Sequence, residues 1–142
     1  MLTIAAAGLM LLAADAPDKA SKKDLDKMQG VWKVKSIHKG GKEMAADLIG
    51  DSSLTIDGGK YTLNKDGKVV DEGTFTLDSS KKPATIDVQG GKDGANKKVG
   101  IYQLDGDTFT EALIADGMDR PTELLSKEGT THVLIVLQRE KK

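Results

Sequence analysis

A period of two, renewed between glycine-bearing turns, is the strongest constraint on what this chain can become. After Gly30, Trp32 and Val34 alternate with Lys33 and Lys35, and Leu54 and Ile56 with Ser53, Thr55 and Asp57. Tyr61 and Leu63 then alternate with Lys60, Thr62 and Asn64, and Ile86 and Val88 with Thr85, Asp87 and Gln89. Successive side chains of a strand point to opposite faces, so each segment has one apolar face and one solvated face. Asp57-Gly58-Gly59, Asp66-Gly67 and Asp105-Gly106 separate such segments and predict tight hairpins. Val69, Phe75 and Leu77 share a face with Asp71 and Gly73, and segments 99–104, 108–114 and 132–139 bring the count to about eight strands, the number of a small up-and-down barrel.

The fold expected is therefore all-β, an eight-stranded antiparallel up-and-down barrel of lipocalin-like form with a short N-terminal helix. Its inward set is Val34, Leu54, Ile56, Tyr61, Leu63, Val69, Phe75, Leu77, Ile86 and Val88, with part of the later strands. Gly73 falls mid-strand, where a missing side chain marks a bulge or bend. The two ends of this system suit each other. Gly30-Val31-Trp32 opens the first strand and Arg139 closes the last. A guanidinium stacked on an indole, with its donors on nearby carbonyls, would seal the seam between Trp32 and Arg139.

The segment before this pattern reads differently. Residues 2–14 are uncharged and apolar, too short for a comfortable bilayer crossing and the right size for a signal-peptide core. Ala14 and Ala16 are the candidate cleavage positions, so 1–16 is expected to be a signal peptide and the protein exported, periplasmic or extracellular. Cleavage after Ala16 removes Asp15 and leaves 21 acidic residues against 21 basic. Residues 17–29 are a linker and short helix, and 30–142 the barrel domain. Ser21-Lys22-Lys23-Asp24 has capping-box spacing before Leu25 and Met28, which predicts a helix over 22–29 that plugs one barrel end. Residues 44–50 lack alternation and suit a short helix or turn, and 90–96 a flexible loop.

Composition narrows the function classes. Aromatics are 4% and charged residues 30%, with a net charge of −1. That balance leaves no clustered positive charge for nucleic acid. No long apolar stretch follows the N-terminal region, so no membrane span is expected in the folded part. With no cysteine there is neither a disulfide framework nor a lipid-bearing thiol.

At this point the residues carry a family resemblance. Residues 25–32 (LDKMQGVW), then Gly73-Thr74-Phe75, residues 100–107 (GIYQLDGD), Arg120-Pro121-Thr122 and Val136-Leu137-Gln138-Arg139 resemble a planctomycete family of exported, lipocalin-like domains of unknown function. The resemblance covers nearly all of the chain after the signal segment. It implies a lipocalin-type barrel and export, and it brings no activity, substrate or catalytic residue. The chain departs from the family pattern at Glu111-Ala112, where an apolar residue and a cysteine are usual, and at Leu124, where an aromatic is common.

Motifs for chemistry are few. His38 and His132 are the only histidines, short of the three or four ligands a zinc site needs. Asp57, Asp66 and Asp105 belong to turns, where their side chains stabilise the backbone. Asn64-Lys65-Asp66-Gly67 lacks the bidentate glutamate of a calcium loop. Gly90-Gly91-Lys92-Asp93-Gly94 precedes a strand, so no helix N-terminus faces a phosphate. No serine sits in a nucleophile elbow. No catalytic residue, metal or cofactor is assigned, and enzyme activity is not expected. Arg120, stiffened by Pro121, reads either as a cation at the barrel mouth or as an ion-pair partner of Asp105, Asp107 or Glu111. Two functions stay open. One is binding of a small apolar or amphipathic ligand, with Tyr61, Phe75 and Tyr102 in the wall and Arg120 near the mouth. The alternative is a structural or protein-interaction module whose barrel is filled by its own side chains.

Overall fold

The computed structural model describes residues 19–141, so the expected signal segment lies outside the described residues. Helix α1 (Lys19–Met28) leads into β1 (Gly30–Lys39), which turns into the short β2 (Lys42–Glu43). A one-turn helix α2 (Ala46–Ile49) follows. Then come β3 (Ser52–Asp57), β4 (Lys60–Lys65), β5 (Lys68–Asp78), β6 (Thr85–Gly90), β7 (Asn96–Asp105), β8 (Thr108–Ala115) and β9 (Val133–Arg139). A 3-10 turn over Lys92–Gly94 occupies the segment expected to be a flexible loop.

Every pairing is antiparallel and nearly every neighbour is the next strand in sequence, in the order β1-β3-β4-β5-β6-β7-β8-β9. β9 then pairs with β1, so eight strands close into a barrel of lipocalin-like form. β2 only extends the β1 hairpin beyond the ring. The hairpins form where Asp-Gly and Gly-Gly dipeptides supply positive φ. Asp66 and Gly67 have φ of 53° and 82°, as a two-residue turn of matching twist demands.

The seam is the one expected. Trp32 stands opposite Arg139, whose guanidinium carbon lies 4.3 Å from the ring centroid. The same guanidinium donates to the carbonyls of Gln29 (2.8 Å) and Lys27 and pairs with Asp107 at 3.4 Å. Trp32 is fully buried and donates from Nε1 to the Met28 carbonyl at 2.8 Å.

α1 is a fixed floor at this end. The Tyr102 hydroxyl donates to Asp24 at 2.6 Å. Gln29 and Gly58 exchange two hydrogen bonds, and Met28 is fully buried. The helix already includes Lys19 and Ala20, so Ser21 is not its cap. Its buried hydroxyl instead accepts from the Ser79 amide at 2.9 Å, a tertiary contact that reaches the end of β5.

Two bulges change which side chains face inward. Between Leu63↔Asp71 and Asn64↔Val69 the register slips by one residue on β5, leaving Val70 extra. An inserted residue reverses the alternation beyond it. Val69, expected inside, is therefore outside and 57% exposed, while Asp71 stays inside. A second slip between Val34 and Ser36 turns Ile37 into the barrel.

Gly73 is not at the bulge. It pairs regularly with Tyr61 and Gly90, and a Cβ on it would stand 2.1 Å from the Gln89 carbonyl oxygen. A Cβ on Gly90 would stand 2.1 Å from the Tyr61 hydroxyl. These glycines let β5 and β6 approach and leave room for the phenol. Gly73→Ala and Gly90→Ala are each expected to cost about 1–3 kcal/mol in urea unfolding, the range for overpacking. Losses under about 0.5 kcal/mol would show that the strands part freely at this point.

Candidate functional site

The inward faces do not meet at the centre of the barrel. They surround a cavity of about 140 Å³ between the α1 floor and the opposite end. Its walls are mainly apolar, with Val34, Ile56, Phe75, Ile86, Phe109 and Leu137 among them. Asn96, exposed at the start of β7, also lines it, so the cavity reaches solvent at the end away from α1. For the same reason Leu54, Leu63, Val88 and Ile135 face inward and are only half-buried.

Polar groups enter this wall at few points. The Tyr61 hydroxyl donates to Asp71 Oδ2 at 2.9 Å, and Asp71 Oδ1 accepts from the Gly91 amide at 2.9 Å. Burial, helped by that hydrogen bond to Asp71, pushes the Tyr61 phenol pKa up, so it stays protonated as the donor. Ser52 spends its hydroxyl on the Ile49 carbonyl of α2. Lys98, on β7, lines the cavity as well.

Glu111 is the exception. It lies on β8 between Tyr102 of β7 and Ile135 of β9, on the inward side with Phe109 and Leu113. It is only 7% exposed, and no hydrogen bond or ion pair from a described residue reaches its carboxylate. Desolvation pushes its pKa from 4.5 up to about 7, against the opposing pull of Lys98. At neutral pH the group is therefore poised between its charged and neutral forms.

The expected site residues separate. Tyr61 and Phe75 line the cavity. Tyr102 is buried at the floor, tied to Asp24 and set edge-on to Phe109 with ring centroids 6.4 Å apart. Trp32 and Arg139 form the seam below the cavity. Arg120 is not at the mouth. Its guanidinium pairs with Asp87 at 2.8 Å and donates to the carbonyls of Gly100 (2.9 Å) and Ile86 (3.3 Å). Asp87 stands opposite Thr76, outside the barrel by the parity of Val88, so the β8–β9 connection runs over the outer wall. The ion pair foreseen with Asp105, Asp107 or Glu111 is made with Asp87.

Glu111 and Lys98 were missed as cavity residues, whereas Asp71 shares the inward face of Phe75 and Leu77 as the alternation implies. Glu111, Ala112, Leu113 and Ile114 are all buried, and this erases the alternation that would mark the inside. The usable signal was spacing alone, two residues from Phe109 and two from Leu113. His38 has a buried Nδ1 without a partner among the described residues. Among those residues no three histidine or carboxylate side chains gather as a metal site. No model of a known protein family and no curated protein matches this chain.

Proposed function

We propose that this chain is a binding domain that takes a small apolar or amphipathic molecule into its barrel. Export is part of the proposal and rests on the apolar run before Asp15. The observation that carries the binding reading is the apolar, solvent-connected cavity where a filled barrel would have packed side chains. Its volume of about 140 Å³ is close to that of a leucine- and phenylalanine-lined cavity that holds benzene. The ligand portion inside is accordingly one ring or a short branched chain, smaller than a fatty acid. The same space weighs against the filled-barrel module.

Titration with toluene, followed by thermal unfolding, tests this. A ligand that binds only the native state raises the transition with concentration, by about 2.7 kcal/mol at a hundredfold excess over Kd. Val88→Phe, which fills the cavity, is expected to abolish the shift. Arg120→Ala, on the outer wall, is expected to keep it. No shift in the wild type would return the filled-barrel module as the better reading. A shift that survives Val88→Phe would place the ligand elsewhere.

A further inference from the structure

We propose that the cavity selects a ligand bearing a primary ammonium group on its ring or short chain, and that the Glu111 carboxylate receives that group. This rests on the reading of the cavity as a binding site and adds the chemical class of its occupant.

Three observations carry it. The first is that Glu111 is 93% removed from solvent by the fold, faces the cavity, and has no partner in the described protein. Buried carboxylates are ordinarily paired or hydrogen-bonded, since an unpaired one is costly. A partner supplied from within the cavity resolves this. The second is the sign of the lining. The ionisable groups facing the space are Glu111 from β8, Asp71 from β5, Lys98 from β7 and the protonated Tyr61 from β4. Those from β1, β3, β6 and β9 carry no ionisable side chain. Two carboxylates against one ammonium favour a cation over an anion. The third is that the other carboxylate is engaged. Asp71 holds the Tyr61 hydroxyl and the Gly91 amide, and Ser52 holds Ile49, so of the two carboxylates lining the cavity only Glu111 has no partner among the described residues.

An ammonium supplies both charge and up to three donors to this carboxylate, while its ring or chain fills the apolar remainder. When the cavity lacks a cation, Glu111 can take a proton and shed its charge. Binding then expels that proton, and affinity depends on pH in a defined direction.

Benzylamine, benzyl alcohol and toluene, titrated into the full chain at pH 6 and pH 8, form the test. Benzylamine is expected to bind tightest at pH 8 and about tenfold more weakly at pH 6, where a group of pKa about 7 is mostly protonated. Toluene should bind alike at both. Glu111→Gln should weaken benzylamine by about tenfold or more at pH 8 and remove its pH dependence, while toluene affinity is retained and certifies the fold. Benzyl alcohol binding as tightly as benzylamine, or benzylamine unchanged in Glu111→Gln, overturns the ammonium assignment and leaves the apolar site standing. If toluene and benzylamine both fail to bind, the cavity reading itself falls.

Discussion

Trp32→Ala is expected to lower stability by about 3–5 kcal/mol, the range for removing a fully buried large aromatic. The ring is entirely buried and packs edge-on to Phe109 with centroids 5.7 Å apart. Its loss opens a hole at the floor and leaves the Met28 carbonyl without its donor. It also strips the Arg139 guanidinium of the surface on which it lies. Arg139→Ala should cost less, since its three contacts at Gln29, Lys27 and Asp107 are only partly buried. The two changes are expected to be coupled by about 0.5–2 kcal/mol, as a stacked cation and ring would be. Urea unfolding followed by circular dichroism of the four proteins measures this, because Trp32 is the sole tryptophan and cannot report its own removal. Strictly additive losses would show that the stacking contributes nothing to closure of the seam.

The second large effect is stabilising. Glu111→Gln is expected to raise stability at pH 8 by about 3 kcal/mol, and by little at pH 4.5. The sign follows from proton counts. With the folded pKa at about 7 and the unfolded value at 4.5, the folded state holds the extra proton between those limits. Wild-type stability therefore falls as pH rises through that window, by about 1.4 kcal/mol per unit at most, and levels off above it. Below the window both states are protonated and Glu111 resembles glutamine. Comparing the two proteins across pH 4.5–8 isolates this group from the other carboxylates, which are common to both. A difference that does not change with pH would mean that Glu111 keeps one protonation state throughout. A stability cost kept by a natural sequence fits a group retained for what it binds, in line with the ammonium proposal.

The barrel was legible because its signals are local. Alternation in residues 53–57, 60–64 and 85–89 depends only on the geometry of a strand, and the Asp-Gly turns only on access to positive φ. Consecutive hairpins leave one simple order, and Trp32 and Arg139 mark its two ends. Alternation failed where strands had to fit one another around a closed ring. The extra residues at Val70 and Lys35 are placed by pairing with a neighbour, and each reverses the faces beyond it, which put Val69 outside and Ile37 inside. Gly73 read as a bulge or bend because a missing side chain has several uses, and the 2.1 Å approach of the Gln89 carbonyl oxygen to a Cβ built there shows the close contact it serves.

The sequence by itself determined an antiparallel meander of about eight strands, its seam and its helical plug, since each depends on neighbours along the chain or on the chain's own ends. The tertiary structure alone decided the site. Whether ten or more aliphatic side chains fill a barrel or leave 140 Å³ open is a sum of volumes over all its strands. Whether a glutamate on β8 is solvated or stranded depends on what covers both faces of its strand. Arg120 met Asp87 rather than the mouth because a connection with no periodicity of its own follows the outer surface it finds. Such properties belong to the closed barrel and to no segment of it.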